Sequence, residues 1–120
     1  MEILTTINDG ILTINFNRPE KKNAITFGMY QAMADAINAS NEDKNVSVIL
    51  ITGKPDIFTA GNDLEDFMKH AGDLASSDMP PVYQFMHALN DAQRPVIAAV
   101  AGNAVGIGTT LLMHCDMIYA

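Results

Sequence analysis

The sequence has a single cysteine, Cys115, so no disulfide can close within the chain, and a reducing, cytoplasmic setting is expected. Its neighbours Met113, Met117 and Ile118 are apolar, which reads the thiol as packed structure and not as a nucleophile. Positive charge is scarce: 7 Lys and Arg stand against 14 Asp and Glu, a formal net charge of −7. A chain of that sign repels nucleic-acid phosphates and anionic membrane surfaces, so neither is an expected partner. A small polyanion is still allowed, because a few local cations suffice to hold it; Arg18, Lys21, Lys22 and Lys54 are the candidates. Long hydrophobic runs are missing, and no stretch approaches the ~20 apolar residues that span a bilayer. The three histidines, His70, His87 and His114, are scattered without ligand spacing, so no metal site is expected. There is no internal repeat, no low-complexity tract and no basic-then-apolar leader.

What is present is enough for one core. The 120 residues are 48% hydrophobic and 18% charged, the balance of a single globular domain. Ile3, Thr5 and Ile7 alternate with polar neighbours, Asn8-Asp9-Gly10 turns the chain, and Leu12, Ile14 and Phe16 resume the period of two, predicting a hairpin. A polar loop, Asn17 to Asn23, follows. Met29, Met33 and Ile37 recur every four residues, predicting a core-facing helix from about Thr26 to Asn41. Val46 to Thr52 and Val96 to Val100 read as strands covered on both faces, with the beginning of a third buried strand at Met117. Helices are expected from Asp63 to about His70, from Val82 to Ala92, and briefly from Thr109 to His114, with a flexible surface segment between Gly72 and Pro81. Strands alternating with helices place the chain in the α/β class.

Two strand-to-helix turns carry the candidate chemistry. The first is Phe58-Thr59-Ala60-Gly61-Asn62-Asp63-Leu64, and the second runs from Ala101 through Gly102 and Gly108 to Thr110. Turns of small residues present unpaired backbone N–H groups, and two facing one point would stabilise a developing oxyanion, worth roughly 3–4 kcal/mol per donor. The second turn lacks the Lys-Ser/Thr pair of a phosphate loop, and Gly102, Gly106 and Gly108 lack the spacing of a dinucleotide fingerprint. Asp63, Glu65 and Asp66 read as helix-start acids that cap and offset the dipole. Tyr83, Phe85 and Met86 are open to two readings, an acyl-tail lining or plain packing.

At these turns the sequence resembles the crotonase (enoyl-CoA hydratase/isomerase) superfamily. The first turn is similar to that family's first oxyanion segment, and Arg94 to Gly102 with Cys115 to Ala120 is similar to its second. Asn17-Arg18-Pro19 and Lys22-Asn23-Ala24-Ile25 match its early coenzyme A-binding loop. The resemblance implies the N-terminal portion of the ββα spiral fold, a mostly parallel sheet with flanking helices, as one unit over residues 1–120. It implies that the backbone N–H groups of Asn62 and Ile107 hold the thioester oxygen. Lys22 and Ala24 would lie near the adenine and phosphate end of the ligand, with Ala60 and Gly61 along the pantetheine arm. It implies no tightly bound cofactor and an acyl-CoA thioester as ligand, while a homo-oligomer is expected because strands ending at Ala120 lack the layers that normally cover them.

Hydratases of the family use two glutamates, the first of which would fall at position 110, where this chain has Thr110. Gly61-Asn62-Asp63-Leu64 with Ala104-Val105-Gly106-Ile107 is more similar to the isomerases that shift a double bond from the 3 to the 2 position. Their base lies in a segment after the one matching Ala120, so the chain is expected to be a shortened product that lacks the C-terminal half and the trimerisation helices. Two other classes remain open: a non-catalytic acyl-CoA-binding module, and a self-assembling domain.

Overall fold

The computed structural model describes residues 2–54, 56–70, 79–104, 111–112 and 114–119. Its larger sheet has five strands: β1 (Ile3–Asn8), β2 (Ile11–Phe16), β3 (Val48–Thr52), β5 (Val96–Ala99) and β7 (Met117–Tyr119), in the order β1-β2-β3-β5-β7. The predicted hairpin is there, β1 antiparallel to β2 around Asp9 and Gly10, and the other three pairings are parallel. Parallel neighbours need crossovers, and two helices supply them on one face: α1 (Phe27–Ser40) between β2 and β3, and α3 (Pro81–Asp91) between β3 and β5. Register aligns the residues that face these helices, Leu12 with Ile49, Ile14 with Ile51, and Ile51 with Ala98. All are buried, together with Met29, Met33 and Ile37 of the predicted α1 stripe and Phe85, Ala88 and Leu89 of α3. Each fully buried large aliphatic side chain contributes about 1.5–3 kcal/mol.

The start of α1 has a local cause. Thr26 adopts an extended backbone and its Oγ1 accepts from Met29 N at 3.2 Å, satisfying one of the first-turn N–H groups. The short helix α2 (Leu64–Lys69) is capped in the same way by Asp63, whose Oδ1 accepts from Asp66 N at 2.8 Å.

Three expectations are corrected. Strands β3 and β5 are fully buried on the helix side only, with Val48, Leu50, Ile97 and Ala99 half-buried on the other. Strand β7 forms where expected but is not a buried strand: Met117 is 51% and Ile118 47% exposed, because β7 is the outer strand of the sheet. On the opposite edge only Ile3 of β1 is buried, and Ile7 stands open. The third correction is a second, two-stranded sheet that periodicity did not reveal. Here β4 (Ile57–Thr59), whose end was expected at Phe58, runs parallel to β6 (Asn103–Ala104), where a plain turn was expected. Of the short helix expected from Thr109 to His114, Leu111 and Leu112 are helical and His114 lies in a turn. The expected surface segment at 72–78 and the turn at 105–110 lie outside the described residues.

Candidate functional site

The site is built on the β4–β6 pair. Ile57 is the register partner of Asn103 and Thr59 that of Ala104, so parts of the two segments singled out in the sequence pair as adjacent parallel strands. The pairing depends on Gly102, where a Cβ would stand 2.3 Å from the carbonyl carbon and oxygen of Asp56. No side chain fits there.

The loop from Lys22 to Ile25 is laced along the first turn. Ala60 N donates to Lys22 O at 3.1 Å, Ile25 N to Gly61 O at 2.8 Å, and Asp63 N to Ile25 O at 2.9 Å. Lys22 and Asn23 reach this path through left-handed backbone, φ 53° and 57°. Asn23 is completely buried and its amide is fully used. Its Oδ1 accepts from Arg18 N at 2.9 Å, and its Nδ2 donates to Phe58 O at 3.1 Å and more loosely to Ile57 O at 3.4 Å. Thr59 completes the seam by donating from Oγ1 to Asn23 O at 2.6 Å while accepting from Gly61 N at 3.1 Å. Thus Lys22 and Ala24, predicted for one end of the ligand, and Ala60 and Gly61, predicted for its arm, share one hydrogen-bonded ribbon.

This ribbon sets the side to which the Asn62 amide turns. In a trans peptide C=O and N–H point oppositely, so Gly61 O, held by Ile25 N, turns the Asn62 N–H away from Ile25. Among the described residues that N–H donates to nothing. Gly61 is needed for the turn, since its φ is +93°. Asn62 is exposed, and its Oδ1 accepts from the hydroxyl of Tyr30 on α1. Ile107 lies outside the described residues.

The cations divide into two groups. Arg18, a candidate for holding a polyanion, is instead committed within the fold: its guanidinium donates to Asp63 Oδ2 at 2.5 Å and Ala24 O at 3.0 Å, and pairs with Glu2 at 2.9 Å. The Asp66 N–H and the Arg18 guanidinium together hold the Asp63 carboxyl below its ordinary pKa. The capping acids thus do what the sequence reading gave them, and Asp66 Oδ2 also accepts from Phe27 N at 2.8 Å. Lys22 and Lys54 form no ion pair among the described residues and line an open pocket of about 300 Å³ with Pro19, Asp56 and Ile57.

The residues set aside in the sequence stay outside the site. Cys115 is half-buried, and burial, with Asp116 beside it, pushes its thiol pKa up to about 11. Asp116 ties β7 to β5, accepting from Val96 N at 2.7 Å. Phe85 is core, whereas Tyr83 is 57% exposed. Among the described residues no group of three His, Cys, Asp or Glu converges as a metal site, and no helix is long and apolar enough to cross a membrane. Sequence reasoning missed the structural work of Asn23, Thr59 and Tyr30. The signal for Asn23 was its identity, since Asn tolerates left-handed backbone better than most residues.

Comparison with known proteins gives a consistent picture. The family model for enoyl-CoA hydratase/isomerase matches residues 6–120. Peroxisomal enoyl-CoA delta isomerase 3 of Mus musculus is 38% identical over 99% of this chain and 38% of its own length. Enoyl-CoA delta isomerase 2 of Rattus norvegicus is 43% identical over 98% of this chain and 31% of its own length. Among solved structures, an enoyl-CoA hydratase/isomerase from Pseudoalteromonas atlantica T6c superposes with TM-score 0.90 at 40% identity, over 100% of this chain and 46% of that one. OdaA of Pseudomonas aeruginosa superposes with TM-score 0.89 at 48% identity, over 98% of this chain and 46% of that one. The chain therefore spans less than half the length of each of these relatives.

Proposed function

The chain belongs to the enoyl-CoA hydratase/isomerase family, and from that premise we propose that it forms the thioester-binding half of an acyl-CoA site that serves double-bond isomerisation in the whole protein. The observation that carries this reading is the Asn62 N–H, aimed by the Ile25–Gly61 bond and without a partner among the described residues. A second support is register. Thr59 and Ala104 are partners on parallel strands, and the proposed donors Asn62 and Ile107 each follow three residues later in the sequence.

In the reaction, a base removes a proton from C2 of a 3-enoyl-CoA. The electron pair moves onto the thioester oxygen, where the two N–H groups hold the resulting enolate. Return of the proton at C4 moves the double bond to C2 and leaves no net change in composition. The base is a carboxylate that the resemblance assigns to a segment after residue 120. Thr110 in place of the first hydratase glutamate favours isomerisation over hydration. Lys22 and Lys54 would meet the ligand's phosphates, Ala24 its adenine end, and Ala60 and Gly61 its pantetheine arm. The proposal includes a cytoplasmic setting and no tightly bound cofactor.

Calorimetric titration with octanoyl-CoA, with free CoA as the control, tests the reading. Tighter binding of octanoyl-CoA than of free CoA is expected. Equal affinities would remove the thioester from the account, and no heat from either ligand would leave a second reading, a self-assembling module. Exposed Met117 and Ile118 along the β7 edge support self-association under both readings. Sedimentation velocity is expected to show a multiple of the single-chain mass, and a strictly monomeric species would contradict it.

A further inference from the structure

Different elements set the two directions at residue 62. The loop strand at Ile25 orients the backbone, through Gly61 O and Asp63 N, while the side chain is held by the Tyr30 hydroxyl alone among the described residues. Tyr30 is only 1% exposed, and its ring lies tilted against Phe85 with centroids 5.7 Å apart, so the hydroxyl sits at the end of a side chain with no room to turn. Tyr30 belongs to α1 and Phe85 to α3, which ties residue 62 to the helical layer as well as to the neighbouring loop. Asn62 is itself exposed, and Gly61 before it restrains the chain little, so burial does not hold this side chain in place. A position that needed only a backbone N–H could carry any residue. An exposed Asn bonded to a buried phenol has a further use.

We infer that Tyr30 is a positioning residue for thioester recognition: its hydroxyl anchors Asn62 through Oδ1 and so keeps the Asn62 N–H on line for the thioester oxygen. The inference rests on the oxyanion reading of Asn62 given above. Hydrogen bonds weaken steeply as the donor angle opens, so a residue 62 that rocks about its two flanking bonds would offer its N–H in line for only part of the time. Burial raises the Tyr30 pKa, which keeps the phenol protonated as the donor and Oδ1 as the acceptor.

Three variants test the link: Tyr30→Phe, Asn62→Ala and the two combined. Each is titrated with octanoyl-CoA and with free CoA, and the carbonyl stretch of bound octanoyl-CoA, ¹³C-labelled at the thioester, is read by difference infrared spectroscopy. In the unsubstituted chain the stretch is expected to move to lower frequency on binding. Tyr30→Phe is expected to lose most of that shift and to bind octanoyl-CoA about five-fold more weakly, with free CoA affinity unchanged. Asn62→Ala should do the same, and the double variant should be no worse than either single one.

A retained carbonyl shift in Tyr30→Phe, a parallel loss of free CoA binding, or additive effects in the double variant would each overturn the role given to Tyr30 while leaving the oxyanion reading intact. No shift in the unsubstituted chain would overturn the oxyanion reading, and this inference with it. Should Tyr30→Phe fail to fold, Asn62→Ala leaves the α1 core untouched and reads the same link.

Discussion

Asp63 and Arg18 were both noticed in the sequence, one as a helix cap and the other as a cation for a polyanionic ligand, and the structure pairs them with each other. The cap was legible because Asp before a short helix serves its first free N–H groups whatever lies around it. The role of Arg18 was not, because its partners Asp63 and Glu2 are 45 and 16 residues away in sequence, and only the fold brings them near. A stability prediction belongs to this pair. The folded-state pKa of Asp63 lies below its unfolded value, so the contribution of the carboxylate is fully present above the unfolded pKa, about 4. It is lost as pH falls through the folded value. Asn caps a helix start about as well as Asp, so Asp63→Asn removes the charge and keeps the cap. It is expected to cost about 1 kcal/mol or less at neutral pH and to flatten part of the acid-side loss of stability. Urea denaturation at pH 7 and pH 3 checks both; an equal cost at the two pH values would contradict the pairing.

Among the elements, the long ones were readable, as were the positions of the short α2 and β7, but the β4–β6 pairing was not. Helix α1 announces itself by a four-residue apolar spacing and by Thr26, and the hairpin by alternation around Asp9-Gly10. Strands β4 and β6 hold only three and two residues, too few for a period, and exist because distant segments meet. The burial of β7 was misjudged for a related reason: Met117 and Ile118 have the composition of a covered strand, but their cover depends on neighbours no local pattern contains. The first turn and the loop from Lys22 to Ile25 were legible as motifs, though not the buried Asn23 that sews them together. At this scale Gly102 is decisive, since a methyl group there would drive β6 off the backbone at Asp56 and Ile57. Gly102→Ala is expected to destabilise the chain by about 3 kcal/mol or more and to shift the amide resonances of residues 57–59. A variant with unchanged stability and an intact β4–β6 pairing would show that the strands are not in this register.

For the molecule as a whole, composition excluded more than it identified. A net charge of −7 disfavours polyanions at long range, so the proposed hold on the phosphates of CoA is a local one, at Lys22 and Lys54. CoA affinity is accordingly expected to fall with added salt, and Lys22→Ala and Lys54→Ala each to weaken free CoA by roughly three-fold. Calorimetry in 50 and 500 mM salt reads this, and affinity indifferent to both salt and substitution would place the phosphates elsewhere. The central claim is that the thioester oxygen rests on the Asn62 amide, and an amide-resolved NMR titration of the ¹⁵N-labelled chain tests it most directly. With octanoyl-CoA the Asn62 cross-peak is expected to move downfield as its N–H gains an acceptor, and with free CoA to stay in place while Lys22 and Lys54 respond to both ligands. An Asn62 cross-peak that remains fixed while octanoyl-CoA binds would contradict the account.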